Sequence, residues 1–320
     1  MKLTFEVWPN MPWGRLEAAG PAWNSWGDKP LIWCAERVAE YGYDGIDVIF
    51  AKIQEIPEEE YSDFTEQFPD TLRELGLEFG YIGAHSTFIS PRRFDREAGI
   101  AGFKKAVDAA ADLGASSVCT LLGDGYYDPP LNILLSRKEA WNQAVSAVDE
   151  VAAYAADKGV NVSIELLQGS LVNRVPLLLR LIEEVGRDNV RATVDTGTFY
   201  TTVKPFMDVR EAIKEIGELI DIVHVKDEIG LPSIVQTNHT WMGGGVVNFA
   251  EVRESLDEIG FSGYCSVEWE GWQAGGNIGV GEPAGLGLAD FDRVAVEARE
   301  FLEDFGYKAL RKGEARTGQA

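Results

Sequence analysis

At 320 residues and 45% hydrophobic content, the chain can bury one large core, which excludes a disordered polypeptide and fits a single α/β domain. Its 52 acidic residues against 29 basic ones give a formal net charge of −23, a field that repels phosphate backbones and argues against a nucleic-acid partner. No apolar run approaches a membrane span and Lys2 to Val7 reads as a strand, not a leader, so no membrane association and a cytoplasmic location are expected. Cys34, Cys119 and Cys265 are widely spaced and read as reduced core thiols.

In chain order, short β-rich runs alternate with longer segments of helical periodicity. The strand candidates are Leu3 to Val7, Gly45 to Phe50, Glu78 to Ala84, Ser117 to Leu122, Asn161 to Leu166, Val190 to Asp195, Ile220 to Lys226 and Tyr264 to Glu268. Helices are expected over Leu31 to Tyr41, Glu58 to Leu75, Arg96 to Leu113, Lys138 to Lys158, Val175 to Val185, Asp208 to Ile216, Phe249 to Ile259 and Asp290 to Phe305. Strict alternation of eight such units predicts a single (β/α)8 TIM barrel over residues 1–307, with a polar, flexible tail at 308–320. An open doubly wound sheet is the alternative, but no glycine-rich turn follows the first strand. Gly42, Gly76, Gly114, Gly159, Gly186 and Gly260 each follow a helical run, where a residue of positive φ closes the last turn.

Long βα loops are expected at the C-terminal face after the first, fourth, seventh and eighth strands. The first carries Trp13, Trp23 and Trp26; the fourth spans Gly123 to Pro130; the eighth runs from Gly271 to Gly287. Their aromatic residues suit the apolar faces of sugar rings.

A strand buried on both faces should be apolar throughout, so an acid at its C-terminal end must face a site or a partner. Glu165, Asp195, His224 and Glu268 occupy such positions on the fifth to eighth strands, which a barrel sets side by side. Three carboxylates and one imidazole suit one divalent ion, Mn²⁺ first, with Mg²⁺, Co²⁺ or Zn²⁺ as alternatives. Such an ion polarises a hydroxy-ketone and stabilises the enediolate left when a neighbouring proton is removed, with Glu165 and Glu268 as ligands and as the acid/base pair.

The order Ser163-Ile164-Glu165, Val194-Asp195-Thr196-Gly197, His224-Val225-Lys226-Asp227 and Ser266-Val267-Glu268-Trp269-Glu270 resembles the xylose-isomerase-like TIM barrels, the sugar phosphate isomerase/epimerase group. Gly45-Ile46-Asp47, Ala84-His85-Ser86 and the glycine-rich run before Phe249 extend the resemblance through nearly the whole chain. It implies a metal-dependent sugar isomerase or epimerase with Glu165, Asp195, His224 and Glu268 as ligands and Glu165 and Glu268 transferring protons. His85, Lys226, Trp13 and Glu270 are the candidate substrate-binding residues, and the expected partners are a small carbohydrate substrate and further copies of the chain. Two departures weigh against simple ketohexose epimerisation: Thr198 stands where the ketose 3-epimerases carry His, and Lys226-Asp227-Glu228 lacks their Arg. The alternative is a lyase expelling a β-substituent from a keto-sugar, as inosose dehydratases do, or cleaving C-glycosides, where a small second subunit would be expected.

Overall fold

A computed structural model describes residues 1–9, 25–122, 135–167, 170–201, 208–228, 239–269 and 290–307. The long loops anticipated after the first, fourth, seventh and eighth strands fall largely outside the described residues, as does the tail at 308–320.

The chain runs β1 (Lys2–Val7), α1 (Leu31–Glu40), β2 (Gly45–Ile49), α2 (Phe50–Ile53), α3 (Glu58–Leu75), β3 (Glu78–Gly83), α4 (Arg93–Leu113) and β4 (Ser117–Thr120). It continues through α5 (Arg137–Ala156), β5 (Asn161–Leu166), α6 (Val175–Val185), β6 (Val190–Asp195), α7 (Thr196–Thr201), α8 (Val209–Ile216) and β7 (Ile220–Val225). After the two-residue strands β8 (Asp227–Glu228) and β9 (His239–Thr240) come α9 (Phe249–Glu258), β10 (Tyr264–Val267) and α10 (Phe291–Asp304). Eight of these strands close in the order β1-β10-β7-β6-β5-β4-β3-β2, each parallel to its neighbours, so the (β/α)8 barrel is the observed fold. The strands β8 and β9 form a separate antiparallel pair at the end of β7.

The helices begin and end where the local chemistry dictates. Ser136 makes a capping box with Glu139, while Asp208, Asn248 and Asp290 cap α8, α9 and α10 through their side-chain oxygens, satisfying amides that the first turn cannot. All six glycines expected to close helical runs adopt positive φ. Expected helix bounds differ from observed ones by a residue or a few, chiefly at N-termini such as that of α4, which starts at Arg93.

Outward strand residues and inward helix faces share one large apolar core; Phe5, for example, packs against Trp26, Tyr43 and Phe291. The barrel interior is more polar than the branched aliphatic layers usual in such barrels. Ser163 and Thr193 hydroxyls meet at 2.6 Å and Cys119 Sγ lies 3.3 Å from Thr193. Near the N-terminal end, the Ser117 hydroxyl donates to Asp221 Oδ2 at 2.5 Å. All three cysteines are buried and free. Apolar layers would seal the barrel, whereas this polar interior continues upward into the carboxylates of its C-terminal rim.

Candidate metal centre

Strand register builds the site. Asp195 pairs with His224 across β6 and β7, and Ser266 pairs with His224 across β7 and β10. Glu165 lies near the end of β5, and Glu268 one residue beyond β10, where its amide still donates to the carbonyl of Val225. Parallel strands in register put these inward side chains on one rim, and one donor atom from each of Glu165, Asp195, His224 and Glu268 falls within 4.8 Å of all the others. All four residues are buried.

His224 Nδ1 lies 3.0 Å from Glu268 Oε2 and 3.3 Å from Glu165 Oε1. Neither ring nitrogen reaches an oxygen or nitrogen at hydrogen-bonding geometry among the described residues, although both are buried. The amine of Lys226, itself buried, lies 2.9 Å from Asp195 Oδ2 and 3.0 Å from Glu268 Oε2.

The donor set fits a divalent cation. Three buried carboxylates carry −3 and Lys226 +1, leaving −2, which one divalent ion would cancel with His224 neutral. Oxygen donors with a single imidazole form a hard-to-borderline site, and one ring nitrogen of His224, buried among the carboxylates, is placed to complete it. In the metal-free protein, protons supply part of the compensation. Burial pushes the Glu165 carboxyl up to about 7, and Glu268 and Glu165 hold His224 well above the usual imidazole range, outweighing the opposing effect of its own burial.

Two backbone anchors fix Lys226. Its amide donates to Thr196 Oγ1 at 2.9 Å and its carbonyl accepts from the same hydroxyl at 2.6 Å, locking the end of β7 to the start of α7. The next residue, Asp227, accepts hydrogen bonds from the amides of Glu228, Gly243, Gly245 and Val247, tying the glycine-rich segment to the strand end. Gly245 is required there, because a Cβ would sit 2.1 Å from Asp227 Oδ1 and 2.3 Å from the carbonyl oxygen of Glu228.

Of the expected site residues, Glu165, Asp195, His224, Glu268 and Lys226 are brought together. His85 stands exposed two residues past β3, outside the cluster of four. Trp13 and Glu270 lie outside the described residues. Sequence reasoning passed over Glu6 and Tyr81. The Tyr81 hydroxyl donates to Glu6 Oε1 at 2.6 Å, and its ring stacks on His224 with centroids 5.4 Å apart. The available signal was an acid at an inward position of β1, alternating with the outward Phe5 and Val7.

Residues 35–303 match the family model described as the xylose isomerase-like TIM barrel. The chain belongs to that family. It is 26% identical to an L-ribulose 3-epimerase of Mesorhizobium japonicum (strain LMG 29417 / CECT 9101 / MAFF 303099) over 173 residues, covering 53% of each chain. It is 24% identical to a D-psicose 3-epimerase of Agrobacterium fabrum (strain C58 / ATCC 33970) over 254 residues, 76% of this chain and 80% of that one. In several of these matches, including that to the L-ribulose 3-epimerase of Methylomonas sp. (strain DH-1), the chain spans about half the length of its curated relative. Among solved structures, the IOLI protein with a bound zinc atom superposes with a TM-score of 0.72 at 19% identity, over 98% of this chain and all of that one (100%). At that identity the likeness concerns the fold. Among the described residues no helix is long and apolar enough to cross a membrane.

Proposed function

We propose that the protein is a divalent-metal-dependent isomerase or epimerase of a sugar or keto-polyol, acting through an enediolate. The observation that carries this reading is the convergence of Glu165, Asp195, His224 and Glu268, from four successive strands of the closed barrel, within 4.8 Å. Relatives named as ketose 3-epimerases and inosose isomerases support the substrate class.

Glu165, Asp195, His224 and Glu268 would hold the ion, Mn²⁺ being the first choice for this donor set. When bound, it supplies Lewis-acid polarisation of the substrate carbonyl and charge stabilisation of the enediolate. Glu165 and Glu268 remove the proton from the carbon beside the carbonyl and return one either to the other face of that carbon, which epimerises it, or to the former carbonyl carbon, which isomerises the sugar. Both are buried carboxylates at the rim, and a positioned carboxylate takes up a proton as base and, once protonated, gives one back as acid. Lys226, fixed by Thr196, holds a substrate oxygen beside Asp195 and Glu268. His85, Trp13 and Glu270 are proposed as further substrate-binding residues.

The test is incubation of Mn²⁺-loaded protein with a panel of ketoses and inososes in D₂O. Deuterium at a carbon beside the carbonyl, with recovery of an isomeric product, is the expected result. Products lacking water or an aglycone, without isomerisation, would assign a lyase instead. Full turnover after exhaustive chelation would overturn both.

A further inference from the structure

Metal-binding histidines ordinarily have their second ring nitrogen held by a carboxylate, a carbonyl or water, which fixes the ring plane. The Nε2 of His224 is buried, and no oxygen or nitrogen of the described residues holds it. The Cys119 thiol is a weak polar neighbour of the ring. What lies flat against the imidazole is Tyr81, at 5.4 Å between centroids and 24° between planes.

Tyr81 reaches that position through a local irregularity of β3. The register between β2 and β3 shifts between Ile46 and Val48, so Phe79 packs outward against Phe68 while Tyr81, two residues later, turns inward. Asp47 holds the shift, its Oδ1 accepting from the Tyr81 amide at 3.1 Å. Gly80 permits it, because a Cβ there would stand 2.1 Å from the same oxygen. At the far end of the ring the hydroxyl donates to Glu6 Oε1 at 2.6 Å. Tyr81 is thus gripped at its backbone and at its tip, and both grips are fully buried acids.

Glu6 makes little sense as packing. It follows Phe5, whose partner across the β1–β10 ladder is Val267, so it stands beside Glu268, and burial together with that neighbour drives its carboxyl well above the usual range. Its Oε2 has no hydrogen-bond partner among the described residues. An apolar side chain of similar size would avoid that cost, and against it stand the bond to Tyr81 and the attraction to His224.

We propose that Glu6 and Tyr81 form a positioning pair for His224, in which Glu6 fixes the tyrosine ring and the ring fixes the plane of the imidazole for metal binding. Neither residue is a ligand or a proton-transfer group. The inference rests on the metal-centre reading above and adds two residues, from β1 and β3, to a site otherwise supplied by β5, β6, β7 and β10.

The test measures Co²⁺ and Mn²⁺ affinity of chelator-stripped protein by titration, with the visible Co²⁺ spectrum and the thermal midpoint of the metal-free form recorded in parallel. Glu6→Gln keeps a carbonyl oxygen for the tyrosine hydroxyl and should bind within about threefold of wild type. Glu6→Met fills the same space without an acceptor, and Tyr81→Leu removes the ring; each should bind about 10- to 100-fold more weakly, with a shifted Co²⁺ spectrum at saturation. A merely structural pair would lower the thermal midpoint yet leave affinity and spectrum of the folded protein unchanged. Wild-type affinity and spectrum in both Glu6→Met and Tyr81→Leu would overturn the proposal while leaving the metal centre intact. Failure of the wild type itself to take up either ion would overturn the metal-centre reading, and this inference with it.

Discussion

Lys226 Nζ lies 2.9 Å from Asp195 Oδ2, so a lysine of the chain itself sets a positive charge against one of the proposed ligand oxygens. Two cations cannot crowd one carboxylate pair without mutual repulsion in a buried site. Lys226→Met should therefore tighten Mn²⁺ binding about 3- to 10-fold while lowering turnover about 100-fold or more, because the group that holds a substrate oxygen is gone. Titration of the stripped protein with Mn²⁺, alongside steady-state rates at saturating metal, separates the two effects. Weaker metal binding in this variant would show that the ammonium supports the site, not that it competes there.

Glu165→Gln and Glu268→Gln should each reduce turnover about 100- to 10,000-fold, the range a positioned acid or base contributes. Their signatures should differ in the exchange experiment. The variant that lacks the base for a given substrate loses deuterium incorporation along with turnover, while the variant lacking the reprotonating acid washes deuterium into recovered substrate without forming product. His224→Ala should lose the ion itself, seen as metal content by elemental analysis. Retention of more than about a tenth of wild-type exchange in both glutamine variants would remove the proton-transfer assignment.

How much of this could be read from residues alone depended on range. Barrel closure and the convergence of four side chains on one rim were legible because an acid ending an apolar strand is a local signal, and strict βα alternation then places successive strand ends together; the meeting of Glu165, Asp195, His224 and Glu268 needed only those two facts. The bulge that turns Tyr81 inward was not legible, since a simple two-residue alternation from the outward Phe79 would keep Tyr81 outward. Glu6 carried a local signal, an acid between Phe5 and Val7 in an otherwise buried strand. The α7 turn, starting at once after Asp195, and the short β8–β9 pair were hidden by their length, being set by contacts to Lys226 and Asp227 and not by periodicity. The substrate-facing assignments of Trp13 and Glu270 rest on the sequence, both residues lying outside the described ones.

Asp227 should act on stability more than on chemistry. Its carboxylate accepts from four backbone amides, three of them in the glycine-rich segment that follows β9. Asp227→Ala strands those donors and should cost about 2–4 kcal/mol, on the order of 1 kcal/mol for each buried amide left without an acceptor. Gly245→Ala forces a methyl group into the same carboxylate and should cost about 1–3 kcal/mol through the shift it demands. Urea unfolding of the metal-free proteins measures both. A wild-type midpoint for Asp227→Ala would show that water replaces the carboxylate without loss.

Metal affinity and metal-free stability should respond to pH in opposite senses. Burial raises Glu165 to about 7 in the folded, metal-free chain, above its unfolded value, and its carboxylate neighbours raise His224 likewise. A group whose folded pKa is raised contributes stability that is complete below its unfolded pKa and lost as pH rises through the folded one; for Glu165 that window runs from about 4.5 to about 7. Metal-free protein should thus lose stability across this window, with Asp47, raised to about 6 by burial, adding loss in the same direction. The cation needs the deprotonated forms of the same ligands, so its apparent affinity should climb with pH through about 7, and binding should release protons from Glu165 and His224. Thermal scans of stripped and Mn²⁺-loaded protein between pH 5 and 8, with calorimetric titrations in buffers of different ionisation enthalpy, test both halves. The gap between the two melting temperatures should widen toward high pH. A constant gap, with no proton release on binding, would mean that Glu165 and His224 do not give up protons to the ion.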